Sequence, residues 1–235
     1  MSFGISPNLS FCRPIGRSLH FPTLAQVRRL VVRLGLAGSL LLLSGSCTAL
    51  RVVTHTTDAN PLEAPAGRYQ LDPHHWSLAF DIDHLHYARF VMRFDRVSAS
   101  LDLAPEHPDE SQVHAVIETA SVDTNDPELD RQVGGPEMLD IGRYPDIRFD
   151  STNLKRTGDN RGEMVGNLTI HGQSRPVTLA VTFNGGAPNP LTRAHTLGFA
   201  ATGSFDRSSF GLGTWFPAVG DQINVSIQAE FVKEG

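Results

Sequence analysis

The feature that most constrains the fold of this chain is a strict alternation of apolar and polar residues. It begins after Gly67 and recurs in short runs to the C-terminus. The last run is the clearest, with apolar residues at Ile223, Val225, Ile227, Ala229 and Phe231. Successive residues of a strand point to opposite faces, so this period of two predicts half-buried β-strands and an all-β domain.

The number and spacing of these runs narrow the architecture. Residues 67–235 contain about eight such runs, separated by turn sequences rich in Gly, Pro, Asn and Asp. One interruption, 124–146, contains "DPELDRQVGGPEML" and is interpreted as a long loop with a short helical turn. Antiparallel strands in this number form either a sandwich or a closed barrel, and periodicity alone leaves both open.

The N-terminal segment has a different character. Residues 1–46 carry five arginines and no acidic residue, and an apolar run at 34–43 precedes small residues and Cys47. This order predicts a secretory signal peptide over 1–46 and export to the periplasm. Residues 1–26 are long for the basic part of a signal, which is consistent with a start codon further downstream. A tether over 47–66 is predicted to lead to the domain at 67–235.

Cys47 has two interpretations. The sequence "LLLLSGSC" resembles the lipobox of bacterial lipoproteins, whose cysteine is lipidated and anchors the protein to a membrane. Alternatively, Cys47 is an ordinary small residue near a signal cleavage site. Cys12 is the other cysteine and lies in the predicted signal, so no intrachain disulfide is expected in the mature chain.

Charge and motifs exclude several function classes. Residues 47–235 carry 15 basic and 25 acidic side chains, a net charge of −10, which argues against a nucleic-acid partner. The chain lacks G-x-S-x-G, H-E-x-x-H, P-loop and Rossmann patterns. No enzyme activity and no cofactor are therefore predicted, and "FDRSSFG" at 205–211 is interpreted as structural.

Four segments, taken in order, resemble the YceI-like family of polyisoprenoid-binding proteins. They are "YQLDPHHWSLAFDIDHL" (69–85), "SVDTNDPELDRQVGGPEMLDIGRYPDIRFDST" (121–152), "GNLTIHGQSRPVTLAVTFNG" (166–185) and "DRSSFGL" (206–212). The resemblance implies an eight-stranded antiparallel lipocalin-like β-barrel whose interior holds an isoprenoid or similar long-chain amphiphile. Two departures from the family pattern, Trp76 for a usual Ser and Met92 for a usual Gly, place larger side chains on the predicted inner face.

The inward rows of the first two predicted strands are the candidate ligand-binding residues. They are Trp76, Leu78, Phe80, Ile82, His84, His86, Phe90, Met92 and Phe94. His84 and His86 share the inward parity, and three interpretations of this pair are open: hydrogen-bonded residues at the barrel rim, contacts for a ligand head group, or metal ligands. No third metal ligand is evident from the sequence, so no metal site is predicted.

These observations predict a protein that binds, sequesters or transports a long-chain isoprenoid lipid in the bacterial cell envelope, with a quinone as another candidate ligand. Two other functions are kept open. One is an envelope stress-related protein that acts through a partner, and the other is a metal-binding barrel that uses His84 and His86. The sequence yields no prediction of oligomeric state.

Overall fold

The structure is a computed structural model that describes residues 50–235. Its ten strands are β1 (Gly67–His84), β2 (Ala88–Phe94), β3 (Val97–Leu103), β4 (Gln112–Glu118), β5 (Val122–Asp123), β6 (Asp146–Arg156), β7 (Arg161–Ile170), β8 (Gln173–Pro188), β9 (His195–Asp206) and β10 (Val219–Lys233). One α-helix, α1 (Pro127–Val133), lies in the long loop between β5 and β6, as predicted.

The strands close into an antiparallel barrel. The sheet runs β10-β9-β8-β7-β6-β4-β3-β1, and β10 pairs with β1 to complete the ring. β2 and β3 act as one bent strand, because β2 pairs with the second half of β1 and β3 with its first four residues. In the same way β5 continues β4 and pairs with β2. The barrel therefore has eight strands, which confirms the predicted fold, and its closure pairs most of the edges that an open sheet would expose.

One end of the barrel is closed by packed side chains, and we call it the closed end. Tyr69 and Leu197 are both 0% exposed there, and Phe183 and Phe231 are buried beside them. The ring of Phe199 joins those of Phe183 and Phe231 at centroid distances of 5.2 and 6.0 Å. This aromatic and aliphatic cluster fills the lumen between β1, β8, β9 and β10.

The segment before the first strand packs against the closed end. Asp58 forms a β-bridge with Gly186, Ala64 is buried, and the Tyr69 hydroxyl donates to the Pro65 carbonyl. Gly185 has φ +132°, and a Cβ there would lie 2.7 Å from Thr57. Much of the region predicted as a tether is therefore in contact with the barrel.

A bulge interrupts β1 at residues 72–75. Leu71 pairs with Phe231 and Trp76 with Ala229, so residues 72–75 lie opposite the single residue Glu230. The strand therefore begins at Gly67 and continues through "DPHH", which bulges out of the ladder.

Within residues 50–235, no helix combines the length and apolar character that crossing a membrane requires.

Candidate functional site

The barrel encloses an apolar cavity of about 560 Å³. This volume lies within the range of about 300–1,000 Å³ that is typical of small-molecule sites. Its walls are built from the alternating apolar positions of every long strand, with polar side chains at few places. The polar residues of the lining are Ser77, His84, Arg207, Thr214 and Gln228.

Eight of the nine predicted site residues line this cavity: Trp76, Leu78, Phe80, Ile82, His84, Phe90, Met92 and Phe94. They are brought together because β1 and β2 pair in register, with Leu78 opposite Phe94 and Ile82 opposite Phe90. Phe80 and Phe94 stack with their ring centroids 5.2 Å apart. That these residues contact a ligand stays a prediction.

His86 does not line the cavity. Its side chain is 84% exposed, and its ring Nδ1 lies 3.1 Å from the Asp83 carboxylate. The expected inward parity fails because β1 ends at His84, and Leu85 and His86 both have positive φ in the following hairpin turn. His84 keeps the parity and lies at the end of the inner row, 6.3 Å between ring centroids from Phe90.

The end of the barrel beyond His84 is its mouth. Two loops form it: the β1–β2 hairpin at 85–87 and the β9–β10 loop at 207–218, joined by a 2.8 Å hydrogen bond from the Leu85 amide to the Ala218 carbonyl. Thr214 Oγ1 donates to the Glu137 carbonyl at 2.5 Å, which ties the second loop to the α1 region. The cavity lining reaches the half-exposed Trp215 in this loop.

Arg207 holds the β9–β10 loop in place. Its guanidinium is buried and donates to the carbonyls of Gly220 at 2.8 Å, Val219 at 3.0 Å, and Leu212. Burial lowers the pKa of Arg207, and the negative charge of Asp221 acts in the opposite direction. At the mouth, a buried positive charge therefore lies beside a largely apolar lining. The hydrogen bonds described for this guanidinium go to backbone oxygens.

Part of the cavity wall was not predicted. The edge of β2 away from β1 pairs with β5 only at Arg93 and Phe94. Leu129 and Val133 of α1, and Met138 and Leu139 after it, contribute to the lining. The Leu129–Val133 spacing of four residues is a helical signal, although a helix of seven residues offers too few positions for the pattern to be distinguished from chance.

The sequence of the barrel matches a known family. Residues 69–231 match the YceI-like domain. The chain belongs to the YceI-like family. The match extends from Tyr69 in β1 to Phe231 in β10, so it covers all the strands except the outermost residues of these two and includes the whole cavity lining.

Known relatives and solved structures align with most of this YceI-like barrel. A UPF0312 protein of Pseudomonas putida is 31% identical over 174 residues, which are 73% of this chain and 90% of that protein. The Campylobacter jejuni YceI protein superposes with a TM-score of 0.59 at 26% identity, over 65% of this chain and 90% of that one. A polyisoprenoid binding domain from Saccharophagus degradans has a TM-score of 0.57 at 12% identity, over 72% of this chain and all of that one, and shares the fold.

Both departures from the family pattern noted in the sequence lie on the inner surface of this YceI-like barrel. Trp76 and Met92 line the cavity, where the usual Ser and Gly would leave more space. Both side chains therefore occupy space in the lumen, and the cavity of about 560 Å³ is the space that remains with them in place.

The β1 bulge gathers ionisable side chains away from the cavity. Asp72, His75 and Glu230 each offer one possible metal-ligand atom, and these atoms lie within 4.8 Å of one another. Among residues 50–235 this is the group with that geometry, and it contains neither His84 nor His86. His75 Nδ1 lies 3.2 Å from Asp72 Oδ2. The hydrogen bond to Asp72, followed by the charges of Asp72 and Glu230, raises the pKa of His75. Burial alone would raise the pKa of Asp72, but the His74 amide and the His75 ring together lower it.

Proposed function

We propose that this protein binds a long-chain apolar lipid of the isoprenoid class inside its barrel. The cavity is the observation that carries the proposal, because 39 of its 44 lining residues are apolar. Such a surface favours a hydrocarbon chain, because the transfer free energy becomes more favourable by about 0.8 kcal/mol for each CH₂ that leaves water. Two further facts support the isoprenoid class: membership of the YceI-like family, and a shared fold with the polyisoprenoid binding domain of Saccharophagus degradans.

The distribution of polar groups supports an orientation for the ligand. Three of the five polar residues of the lining, His84, Arg207 and Thr214, lie at the mouth, and the closed end is occupied by Tyr69 and Leu197. The other two, Ser77 and Gln228, are paired with each other on β1 and β10, next to inward-facing apolar positions. A tail would lie towards the closed end, and a polar head group would remain near the mouth, where imidazole and guanidinium groups donate hydrogen bonds. A quinone or a phosphate head group fits this arrangement.

The shape of the cavity, rather than its hydrophobicity, would select the ligand. A bilayer offers a hydrocarbon tail the same gain as the barrel, so transfer between them is close to neutral. The side chains that set the width, among them Trp76 and Met92, would then decide which tails fit. The protein would sequester or carry such a lipid without changing it chemically.

Native mass spectrometry of the protein purified from its own host without detergent tests this function. We expect a bound mass that is released into organic solvent and has the fragmentation of a prenyl chain. Protein that carries no lipid, and that takes up neither a linear prenol nor a fatty acid of equal length, would contradict the proposal. Uptake of the fatty acid in preference to the prenol would contradict the isoprenoid class.

We also propose that the barrel works in the cell envelope. The basic and apolar residues of 1–46 and the small residues before Cys47 support export, and the lipobox-like sequence supports lipidation of Cys47. These residues lie outside the described part of the chain. Intact-mass measurement of the mature protein tests both statements: a chain that begins at Met1 would contradict export, and a mature Cys47 without a diacylglyceryl increment would contradict lipidation.

A further inference from the structure

Exposed aromatic side chains are concentrated at the mouth. Tyr87 is 88% exposed, Phe216 is 62% and Trp215 is 42%, and Leu85 beside them is 45% exposed. These four residues are called the mouth rim. Within residues 50–235, the exposed Phe, Tyr and Trp side chains all belong to the mouth rim. The loops of the closed end expose Leu62 and Leu191, and the segment before them exposes Leu50, Val52 and Val53; none of these side chains is aromatic.

The mouth rim is a fixed feature of the fold. The Leu85 amide donates to the Ala218 carbonyl, and the Val219 amide donates to the Trp215 carbonyl at 2.9 Å. The β9–β10 loop is also fixed by the hydrogen bonds of Arg207 and by the one from Thr214 to Glu137. Exposing four large apolar side chains on such anchored loops is unfavourable in water, so a surface that covers them would stabilise this arrangement.

We infer that the mouth rim inserts into the surface of a lipid bilayer, so that the cavity opens directly onto the membrane. This inference rests on the proposed function, because a lipid that moves between bilayer and barrel must cross the mouth. The rim is continuous with the cavity, since Trp215 belongs to both. Tyr and Trp rings are also the side chains that favour the boundary between hydrocarbon and water.

Charge distinguishes this mode of binding from electrostatic attachment. The described residues carry 15 basic and 25 acidic side chains, so an anionic membrane surface would repel the domain as a whole. Docking must then depend on apolar insertion. We therefore expect phosphatidylcholine vesicles to bind at least as well as vesicles that contain phosphatidylglycerol, and we expect added salt not to release the protein from phosphatidylcholine.

The two tryptophans of the chain provide the test, because Trp215 lies in the rim and Trp76 lines the cavity. The full chain carrying Trp76→Phe has Trp215 as its single tryptophan. We expect its fluorescence to be quenched by phosphatidylcholine vesicles with bromine on shallow acyl carbons. In Trp215→Phe, the remaining Trp76 is expected to be shielded from the same vesicles. This readout reports the rim itself, even if the N-terminal segment also binds the membrane.

Matched variants in the Trp76→Phe background locate the contact. Tyr87→Ser with Phe216→Ser should weaken the vesicle-dependent quenching of Trp215 by about tenfold in lipid concentration, because two apolar side chains no longer insert. Leu62→Ser with Leu191→Ser removes exposed apolar groups from the closed end and should leave the quenching unchanged. Equal effects of the two pairs, or no quenching of Trp215 in the parent, would overturn the inference.

Failure of docking and failure of the proposed function give different results. If the purified protein carries a lipid but Trp215 is not quenched by brominated vesicles, lipid binding stands and the docking surface is wrong. If Trp215 is quenched but the protein neither carries nor takes up lipid, the mouth rim is a membrane contact and the proposed function is wrong.

Discussion

The two ends of this barrel are made from the same alternating strands but differ in how much of their aromatic and aliphatic surface is exposed. At the closed end, Tyr69 and Leu197 are completely buried and the segment before β1 packs against them. At the mouth, Tyr87 and Phe216 extend into solvent, and hydrogen bonds from Arg207 hold the loop shape. Apolar side chains alone fill the closed end, whereas at the mouth a buried guanidinium and backbone carbonyls add to the packing of Phe210.

This difference shows how a barrel can combine a stable fold with an accessible interior. Close packing throughout the lumen would make it a solid core, as it is in many small barrels. Here apolar side chains fill the closed end and others, such as Phe210 and Val133, pack at the mouth, but a cavity of about 560 Å³ remains between the walls. A mouth held by polar contacts keeps its form without filling the lumen, so substitutions at the two ends should have different consequences.

The largest effect is expected from a charge placed on the wall that connects the two ends. Leu78→Asp directs an unpaired carboxylate into the apolar lumen and should lower the free energy of unfolding by about 3–5 kcal/mol, with loss of bound lipid. Ala79→Asp lies one residue further, opposite Arg93 on β2, and should change stability by less than about 1 kcal/mol. Urea denaturation measures both. Similar losses in the two variants would contradict the assigned inner face.

Matched leucine truncations compare the ends directly. Leu197→Ala at the closed end removes a completely buried side chain and should cost about 3 kcal/mol, because a cavity is left in the cluster. Leu85→Ala in the mouth rim should cost less than about 0.5 kcal/mol, because the side chain is already half exposed. Thermal unfolding monitored by circular dichroism measures the difference. A larger loss at Leu85 would reverse the comparison.

A smaller effect is expected when the mouth loses its polar support. Arg207→Met keeps an apolar stem but leaves the carbonyls of Leu212, Val219 and Gly220 without their donor, for a cost of about 2 kcal/mol. Hydrogen exchange should rise in the 207–218 loop and remain unchanged at the closed end. Arg93→Met removes an exposed arginine and serves as the control. Loss of protection throughout the barrel would show that Arg207 supports the whole core instead.

The smallest effect concerns the bulge in β1, and it depends on pH. The pKa of His75 is raised by Asp72, so its contribution to stability is present below the ordinary value of 6.5 and disappears as the pH rises through the folded pKa. The pKa of Asp72 is lowered, so its contribution is present above 3.8 and disappears as the pH falls through the folded pKa. The pair therefore contributes most between these two values.

His75→Ala tests this pH dependence. The melting temperature of the variant should lie further below that of the parent at pH 5.5 than at pH 8.5. His74→Ala keeps the backbone amide that donates to Asp72, and should show the smaller pH-dependent difference. A deficit in His75→Ala that is the same at both pH values would show that the ring acts through packing rather than charge.

The strands and their inner faces could be predicted because alternation alone determines which side chains share a face. The turns could not. Leu85 and His86 adopt positive φ without being glycine or asparagine, so nothing in "HLHY" indicates that the parity ends before His86. The bulge at 72–75 depends on the pairing of Leu71 with Phe231 and of Trp76 with Ala229, contacts between residues more than 150 positions apart. Local sequence does not encode such a register.

The same distinction applies to the mouth. Arg207 lies in a segment that was interpreted as structural, but its three acceptors are brought together only by the fold of the β9–β10 loop. The position of Trp215 depends on that loop as well. The predicted site therefore contained the wall strands β1 and β2 and lacked the α1 region and the mouth loop, which no period of two or of 3.6 describes.

The central claim is that a lipid tail lies in the barrel towards the closed end, with its head group at the mouth. Trp76 lies eight residues before His84 along β1, a distance of about 26 Å for a strand, so the two tryptophans report different depths. A linear prenol with bromine on its last isoprene unit should quench Trp76 in Trp215→Phe more strongly than Trp215 in Trp76→Phe. Bromine beside the head group should give the opposite order. Preferential quenching of Trp76 by head-group bromine, or quenching of neither tryptophan by either prenol, would contradict the account.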